Sequence, residues 1–234
     1  MLFRSLTKLL ENVFRSVNIA LVNEMALLCD RMGIDVWEVI EAAKTKPYGF
    51  MPFYPGPGVG GHCIPVDPYY LSWKAREYDF STKFIELAAE TNQQMPFFTV
   101  QKLRRTLGER GADLRGARVL VLGAAFKKDV DDARNSPAIR TMQVLLQEGA
   151  DVRYHDPHVP SIRFAADLYS NGSSREMTSV ALTKDELSAA DCVLILVAHT
   201  AMDKDLITRH ARFVFDAVDA LHAGREAGER VVRL

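Results

Sequence analysis

A cysteine in a loop rich in proline and glycine offers the clearest chemistry in this sequence. Cys63 follows the residues GGH at positions 60–62, and Asp67 lies four positions after it. Glycines let a backbone approach a ligand closely, and loop amides around a thiol favour its nucleophilic thiolate form. Asp67 could position or deprotonate a water molecule beside an enzyme-bound thioester. We therefore interpret Cys63 as a nucleophile rather than as an inert buried thiol.

Two other motif assignments fit this loop poorly. His62 and Cys63 have no further ligands at the spacing of zinc sites, so we predict no metal centre. Residues 56–61 (GPGVGG) match the pattern G-x-G-x-x-G, but that fingerprint requires a preceding strand and a following helix. Prolines flank the glycines here instead. These glycines are better interpreted as wrapping a bound substrate.

A lysine and an asparagine near the beginning of the chain form a second candidate pair. Lys8 and Asn12 are four residues apart in a helical pattern, so their side chains share one face. An ammonium and a carboxamide placed in this way could stabilise an oxyanion. On these two residues alone, a solvated edge at the start of a helix is the simpler interpretation.

Composition narrows the class of protein. The chain has 234 residues, 48% of them apolar and 25% charged, which is ordinary for a globular protein. A net charge of −1 gives no reason to expect nucleic acid or an anionic membrane as a partner. Charges interrupt every apolar run before membrane-spanning length, and three scattered cysteines do not form a disulfide framework. We expect a soluble, reduced, cytoplasmic protein.

The first half of the chain reads as helices around the cysteine loop. Apolar residues at three- and four-residue steps predict one long helix over residues 7–32, which Gly33 ends. Its apolar positions cover most of its circumference, so we expect a partner subunit to bury part of it. Shorter helices are predicted over 35–43, 68–78 and 82–95, with another beginning at Pro96. Residues 1–110 are thus predicted to be an all-helical dimerisation domain that carries the catalytic cysteine loop.

The second half alternates strands and helices. We predict strands at 118–122, 151–155, 192–197 and 213–215, and a helix from Ser136 to about Glu148. This alternation indicates an α/β fold with a doubly wound, Rossmann-like parallel sheet over residues 111–234. Residues 168–180 are predicted to be a flexible excursion within that domain.

Charged residues follow the first predicted strand, at a position where open α/β sheets bind ligands. Residues 123–129 (GAAFKKD) contain Phe126 and Lys127, and Arg134 precedes a helix that begins at Ser136-Pro137. A helix N-terminus with nearby cations suits phosphates. On the local sequence alone, a solvated charged loop is equally consistent with these residues.

Together these segments resemble the UDP-glucose/GDP-mannose dehydrogenase family of nucleotide-sugar 6-dehydrogenases. The segments are KLLEN (8–12), NIALVNE (18–24), GGHC (60–63), GAAFK (123–127) with DDARNSP (131–137), and YHDP (154–157). The segment HCIPVDPYYL (62–71) is most similar to family members that act on UDP-N-acetylhexosamines, notably UDP-N-acetylglucosamine 6-dehydrogenases.

The resemblance implies a reaction and roles for particular residues. The family oxidises the sugar C6 alcohol to a carboxylate in two hydride transfers to NAD+. By this resemblance Cys63 forms the thiohemiacetal and the thioester, Lys8 and Asn12 stabilise oxyanions, and Asp67 assists proton transfer through water. Arg134 would face the cofactor NAD. The implied substrate-binding residues are Phe53, Tyr54, Gly56, Gly58, Gly60, Phe126 and Lys127.

The sequence departs from the family pattern in two places. Family members carry an N-terminal Rossmann domain ahead of the long helix, with the main NAD site, and these 234 residues contain no such segment. We therefore expect a homodimer, formed through the long helix, that binds UDP-sugar but does not transfer hydride by itself. In addition, Val218 stands where the family usually has an arginine that reaches the substrate.

Two alternatives remain open at this point. The chain could be a stand-alone nucleotide-sugar-binding dimer with a regulatory or scaffolding role and no catalysis. It could also be an unrelated thiol hydrolase built on Cys63, although no adjacent base and orienting residue accompany this cysteine.

Overall fold

The chain divides into two units, residues 1–95 and 96–234. The protein is described here by a computed structural model over residues 2–164, 175–222 and 230–234. No helix in these ranges is long and apolar enough to cross a membrane.

The first unit consists of helices and one long irregular loop. Its helices are α1 (Leu2–Met32), α2 (Val36–Lys44), α3 (Asp67–Ala75), a short 3-10 turn (Arg76–Tyr78), and the first part of α4 (Lys83–Glu109). Gly33 ends α1 with a φ of 68°, a left-handed conformation that glycine adopts readily. Asp35 caps α2 by accepting a hydrogen bond of 2.9 Å from the amide of Trp37. The predicted helices of this half are confirmed apart from the break at Pro96.

The break predicted at Pro96 is wrong, because α4 continues through this proline from Lys83 to Glu109. A proline inside a helix removes one backbone hydrogen bond, which disfavours the helix locally. Buried residues on both sides of Pro96 offset that cost, among them Met95, Val100, Leu103 and Leu107. Tertiary packing therefore overrides the local preference. The division between the two units falls within α4, whereas the predicted boundary after residue 110 lies at its end and stays a prediction.

The second unit is built on a five-stranded sheet. Its elements are β1 (Arg118–Leu122), α5 (Pro137–Gln147), β2 (Asp151–His155), β3 (Ser161–Phe164), β4 (Arg175–Thr178), α6 (Lys184–Ala189), β5 (Cys192–Ile195), α7 (Lys204–His210), β6 (Val214–Asp216) and β7 (Val231–Arg233). The sheet order is β2-β1-β5-β6-β7, and every pair is parallel. The predicted α/β fold with a parallel sheet is confirmed.

Three details of the second unit differ from the sequence prediction. The third predicted strand ends at Ile195 rather than at residue 197, and β7 was not predicted. Strands β3 and β4 form a separate antiparallel pair, so residues 175–178 are a strand and not part of a flexible excursion. Residues 168–174 of that predicted excursion lie outside the described residues.

The order of the strands creates a switch point between β1 and β5. The chain passes from β1 to β2 on one side of the sheet and later continues from β5 to β6 and β7 on the other. Apolar side chains of β1 and β5 such as Leu122, Val193 and Ile195 are almost completely buried. Ligands of open α/β sheets bind outside the carboxyl ends of strands at such a point. A ligand site of this sheet is therefore expected at the segments that follow β1 and β5.

Candidate functional site

In the first unit, two of the predicted catalytic residues are in direct contact. The side-chain amide of Asn12, on α1, donates a hydrogen bond of 2.6 Å to Oδ2 of Asp67, the first residue of α3. Asn12 is fully buried and Asp67 is half-buried. The contact joins residues 55 positions apart in sequence and ties the end of the cysteine loop to the long helix.

Arg15 fixes the orientation of the Asn12 carboxamide. Its guanidinium donates a short hydrogen bond to Oδ1 of Asn12. A guanidinium can only donate and an ionised carboxylate can only accept, so the amide oxygen faces Arg15 and the nitrogen faces Asp67. One hydrogen of that nitrogen remains for a further acceptor. Asn12 is thus held as a donor, which is the role required at an oxyanion.

Cys63 lies at the entrance to α3. Its carbonyl accepts a hydrogen bond of 2.8 Å from the amide of Asp67, which closes one turn of backbone between the two residues. Of the three cysteines, Cys29 and Cys192 are buried whereas Cys63 is exposed, and all three are free. Cys63 is therefore the thiol that a dissolved reactant can reach.

Lys8 lies on the surface of α1, one turn before Asn12. Its ammonium is 3.3 Å from a carboxylate oxygen of Glu11, and its side chain is 59% exposed. An ion pair this exposed holds a side chain only weakly, so Lys8 can be redirected towards another anion.

The predicted substrate-binding loop is anchored on both helices of the first unit that precede it. Phe53 packs edge-to-face against Phe14 of α1, with ring centroids 5.8 Å apart. Tyr54 stacks on Trp37 of α2 and donates a hydrogen bond of 2.8 Å to Glu41. The hydroxyl of Tyr54 therefore has a protein partner.

The glycines of the loop follow these aromatic anchors. The amide of Gly56 donates a hydrogen bond of 3.0 Å to Oδ1 of Asn23 on α1. Gly58 has a φ of 128°, a conformation that side-chain-bearing residues rarely adopt, and Gly60 is half-buried. Within the described residues no strand precedes residues 56–61 and the chain there is irregular, which does not fit a dinucleotide fingerprint.

In the second unit, Gly123 closes the gap between the segments that follow β1 and β5. Its φ is 90°, and a Cβ at this position would lie 2.4 Å from Cβ of Val197 and 2.8 Å from the backbone of that residue. Only a residue without a side chain allows this approach. The backbone after β1 is thus packed directly against the backbone after β5.

Asp156, at the carboxyl end of β2, organises the same region. It is almost completely buried. Its carboxylate accepts hydrogen bonds of 2.7–3.0 Å from His199 Nε2 and from the amides of Ala124, Ala125, His158 and Val159. Burial opposes ionisation, but the hydrogen bonds from His199 and these amides outweigh burial and hold the pKa of Asp156 well below its usual value.

His199 links this carboxylate to the loop after β1. Its Nε2 donates to Asp156, while its Nδ1 accepts a hydrogen bond of 3.0 Å from the amide of Asp129. The carboxylate of Asp129 in turn accepts hydrogen bonds from the hydroxyl and the amide of Thr200, which lower its pKa. These contacts give His199 a structural role, since it joins Asp156 to the loop after β1.

Asp129, His158 and His199 also bring potential metal-ligating atoms within 4.8 Å of one another. Two of the three are already engaged, because His199 Nδ1 bonds the Asp129 amide and the Asp129 carboxylate bonds Thr200. Nε2 of His158 is buried without a hydrogen-bond partner in the described structure. A metal would have to displace the existing bonds of the other two residues.

The predicted ligand-contacting cations of the second unit lie on the loop between β1 and α5. The ammonium of Lys127 lies 5.5 Å from the ring centroid of Phe126 and is exposed. Arg134 forms a two-pronged ion pair with Asp132, with its Nη2 2.8 Å from Oδ2, and this pairing raises the pKa of Arg134. Ser136 caps α5 by accepting a hydrogen bond from the amide of Ala138.

The turn after β6 contains Val218, which stands where the family pattern usually has an arginine. The carboxylate of Asp216 accepts hydrogen bonds from the amides of Val218, Ala220 and Leu221, although burial raises its pKa. Arg233, on β7, reaches Asp219 of the same turn at 3.2 Å. An arginine side chain thus lies beside this turn, although it comes from a different strand than the family pattern predicts.

Comparison with known protein families accounts for both units. Residues 5–94 match the model of the central domain of the UDP-glucose/GDP-mannose dehydrogenase family, and residues 120–223 match the model of its UDP binding domain. The chain belongs to this family.

Individual relatives agree with this family assignment. A UDP-N-acetyl-D-mannosamine dehydrogenase from Methanococcus maripaludis is 36% identical over 197 residues, which are 84% of this chain and 41% of the relative. A UDP-N-acetyl-D-glucosamine 6-dehydrogenase from Pseudomonas aeruginosa is 41% identical over 152 residues, covering 65% of this chain and 36% of the relative. The chain therefore spans less than half of the length of these family members.

The fold is also that of a solved family member. The structure of the UDP-D-ManNAc dehydrogenase from Pyrococcus horikoshii matches 92% of this chain and 47% of its own chain, with a TM-score of 0.75 and 32% sequence identity. The helical unit, the parallel sheet and their order along the chain thus occur together in an experimentally determined dehydrogenase.

The described residues do not form a complete site for NAD, the cofactor that the resemblance implies. Residues 56–61 lack the flanking strand and helix of a dinucleotide fingerprint. After β1, fourteen residues (123–136) separate the strand from α5, whereas a dinucleotide fold joins them by a tight glycine-rich turn. These residues do not fit the cofactor by themselves.

Sequence reasoning missed several residues that shape the site. Arg15 gave no signal, because an arginine on a helix surface is common. Asn23 and Asp156 lie in segments that carry the family resemblance, but no role was assigned to either. Only the folded structure brings Asn23 to Gly56 and Asp156 to the amides after β1.

Proposed function

We propose that this chain carries the thiol chemistry and the nucleotide-sugar site of a 6-dehydrogenase that converts a UDP-N-acetylhexosamine to its uronic acid. The main support is the 2.6 Å hydrogen bond between Asn12 and Asp67, with the exposed Cys63 four residues from that carboxylate. Family membership supplies the reaction class.

In the first step that we assign to Cys63, its thiolate adds to the aldehyde carbon that oxidation of the C6 alcohol, with NAD+ as the hydride acceptor, would leave on the sugar. The new carbon–sulfur bond forms as the carbonyl π bond opens, and the negative charge moves to oxygen. The second hydrogen of the Asn12 amide and the ammonium of Lys8 would stabilise that oxyanion. Held in place by Arg15, the amide needs little reorganisation to do so.

In the proposed last step, a thioester on Cys63 is hydrolysed. Water adds to the thioester carbon while Asp67 takes one of its protons, and the carbon–sulfur bond breaks to release the thiolate and the carboxylic acid, which then loses its remaining proton to solvent. The hydrogen bond from Asn12 keeps the Asp67 carboxylate oriented beside the loop.

NAD+ would accept the hydrides in this reaction, and we propose that the 234 residues need a separately supplied NAD-binding domain to turn over. Arg134 is proposed to face the cofactor after release from Asp132. The proposed substrate contacts are those given above, namely Phe53, Tyr54, Gly56, Gly58 and Gly60 in the first unit, and Phe126 and Lys127 in the second.

We further propose that α1 forms the core of a homodimer. This helix exposes large apolar side chains at Leu6, Leu10, Phe14, Leu21, Met25, Leu28 and Met32. A contiguous apolar surface of this extent is typical of an interface rather than of a solvated helix face.

Binding of the reaction intermediate tests the proposal without NAD. We expect the 6-aldehyde of UDP-N-acetylglucosamine to bind at least about tenfold more tightly than the parent alcohol in isothermal titration, because only the aldehyde forms an adduct with a thiolate. Cys63→Ala should remove that difference, whereas Cys29→Ala should keep it. Equal affinities in the wild-type protein would contradict the proposed nucleophile.

Activity after addition of an NAD-binding domain separates this function from the alternative. NADH formation on mixing the chain with the isolated NAD-binding domain of a relative would support the dehydrogenase. UDP-sugar binding with no aldehyde adduct and no turnover after mixing would instead indicate a stand-alone nucleotide-sugar-binding dimer.

A further inference from the structure

A chain of buried carboxamides connects the cysteine loop to two helices of the first unit. Asn23 on α1 is fully buried, and its Oδ1 accepts the hydrogen bond of 3.0 Å from the amide of Gly56. Its Nδ2 donates a hydrogen bond of 2.9 Å to Oδ1 of Asn92 on α4. Asn92, also buried, donates a hydrogen bond of 3.1 Å to the backbone carbonyl of Ser16, back on α1.

This arrangement gives Asn23 only one orientation. Its oxygen must face the Gly56 amide, which can only donate, and its nitrogen must face an acceptor. That acceptor is Oδ1 of Asn92, which faces Asn23 because Nδ2 of Asn92 donates to the Ser16 carbonyl. Buried polar groups that are all hydrogen-bonded specify one arrangement, since any shift would leave a donor or acceptor without a partner.

The loop that carries Cys63 is therefore fixed to α1 at two points. Gly56 is held by Asn23 seven residues before the thiol, and Asp67 is held by Asn12 four residues after it. Asn12 and Asn23 are eleven residues apart, which places them about 16 Å apart along the helix and within about 20° of the same face. The eleven peptide units from Gly56 to Asp67 could extend to more than twice that distance. Two fixed ends restrict where the intervening thiol can lie.

We propose that Asn23 is a positioning residue for the nucleophile, acting through the Gly56 amide to hold the Cys63 loop against α1. This inference rests on the proposed role of Cys63 as the nucleophile. It assigns a task to a residue of the segment NIALVNE (18–24), which the sequence singled out without a role. Tyr54 also anchors the loop, but its hydroxyl bonds an exposed carboxylate that water can replace.

The two hydrogen bonds of the Asn23 side chain, to Gly56 and to Asn92, suggest a matched pair of substitutions. Asn23→Leu has a similar size and removes the acceptor for the Gly56 amide. Asn23→Asp keeps an acceptor oxygen for that amide and loses the donor to Asn92. If Asn23 acts through Gly56, the aspartate variant retains loop order that the leucine variant loses, although both disturb the buried pair with Asn92.

Hydrogen exchange of the Gly56 amide measures directly whether its hydrogen bond to Asn23 is present. We expect exchange at this amide to be at least tenfold faster in Asn23→Leu than in the wild-type protein, and close to wild type in Asn23→Asp. Asn18→Ala serves as a control, because Asn18 bonds the Phe14 carbonyl of its own helix. Should Asn23→Leu fail to fold, Asn23→Ser shortens the side chain beyond reach of Gly56 and tests the same expectation.

Protection of Cys63 from alkylation by bound UDP-sugar measures the functional consequence of losing the hydrogen bond between Asn23 and Gly56. Cys63 is the exposed cysteine of the three, so its alkylation by iodoacetamide can be followed by mass spectrometry beside Cys29 and Cys192. With saturating UDP-N-acetylglucosamine, we expect alkylation of Cys63 to slow at least tenfold in the wild type and less than threefold in Asn23→Leu. Affinity for UDP alone should be unchanged, because the UDP binding domain lies in residues 120–223.

The possible results separate this inference from the proposed function. A folded Asn23→Leu protein with wild-type exchange at Gly56 and wild-type protection of Cys63 would overturn the positioning role. Absence of UDP-sugar protection in the wild type would count against the proposed function, while the Gly56 exchange would still decide whether Asn23 holds the loop.

Discussion

At the scale of single residues, the site is defined by side chains whose hydrogen-bond partners leave them one orientation. Asn12 lies between Arg15, which only donates, and Asp67, which only accepts. Cys63, in contrast, is exposed and unpaired with another cysteine. The proposed addition of a thiol to a carbonyl requires an oriented donor such as the Asn12 amide and an accessible thiol such as that of Cys63.

Two lysines allow the proposed role of Lys8 to be tested against a close match. Lys8 and Lys74 each form an exposed ion pair with a glutamate three residues later. Such pairs contribute at most about 0.5 kcal/mol to stability, so neither alanine substitution should change folding. We expect Lys8→Ala to weaken binding of the UDP-sugar 6-aldehyde by about 10- to 100-fold in titration.

Lys74→Ala should leave aldehyde affinity at the wild-type value. An equal effect of both substitutions would show that Lys8 acts only through general surface charge and not as an oxyanion donor.

Asp156 offers a prediction about stability and pH. In Asp156→Asn, one carboxylate oxygen is replaced by an NH₂ group that faces buried donors. We expect the free energy of unfolding at pH 7, from urea denaturation, to fall by about 2–4 kcal/mol. Asp151→Asn is the control, since Asp151 lies exposed on β2, the strand that ends just before Asp156.

The sign of the pH dependence follows from the lowered pKa of Asp156. A carboxyl whose folded pKa is depressed stabilises the protein above its unfolded value of about 3.9 and loses that contribution as the pH falls towards the folded value. The loss of stability between pH 5 and pH 3 should therefore be smaller in Asp156→Asn than in the wild type. An identical slope in both proteins would contradict this assignment.

At the scale of elements, the sequence predicted the long helix, the cysteine loop and four of the five strands of the parallel sheet. These elements have strong local signals, namely apolar periodicity in α1, proline and glycine in the loop, and continuous apolar runs in β1 and β5. The remaining elements are decided by distant contacts. Helix α4 continues through Pro96 because its neighbours are buried, and β7 exists because β6 offers it an edge to pair with.

The same limit applies to the site. Local sequence indicated Cys63 and Asp67, because a thiol and a carboxylate in a glycine loop are recognisable locally, whereas Lys8 and Asn12 received a role only through the family resemblance. The Asn23–Gly56 contact joins residues 33 positions apart, and the contacts of Asp156 with the segment after β1 span about as many. Nothing in the local sequence indicates such pairings.

The close approach of the segments after β1 and β5 can be tested at Gly123. In Gly123→Ala, the new Cβ would overlap Val197, and φ would remain at 90°. We expect a loss of about 3 kcal/mol or more, or failure to fold, measured by urea denaturation. Gly108→Ala is a matched control within α4, where no atom lies within 4 Å of an added Cβ.

Gly108→Ala should stabilise the protein by about 0.5–1 kcal/mol, because alanine favours the helix over glycine. If Gly123→Ala were tolerated equally well, the two segments would not be in the tight contact described above.

At the scale of the whole molecule, the exposed apolar side chains of α1 are the basis of the proposed homodimer. We expect the chain to elute in size-exclusion chromatography with light scattering at about twice its 26.2 kDa mass. Introducing two charges by Leu21→Glu with Leu28→Glu should shift the mass to that of the monomer, because charged side chains are costly to bury unpaired.

A control for this substitution is Tyr48→Glu, which changes an exposed aromatic residue outside α1. It should leave the mass unchanged. A monomeric wild-type protein, or a dimer that persists in the double variant, would rule out α1 as the interface.

Helix α1 carries both attachment points of the thiol loop, at Asn12 and Asn23, and on the rest of its surface it carries the apolar stripe. A helix that is uncovered along one side opens locally more readily than a helix that is packed on both sides. In the proposed dimer, dilution that separates the two copies would thus loosen the helix that supports Cys63, and the specific activity of the chain mixed with an NAD-binding domain would decline on dilution even at saturating substrate.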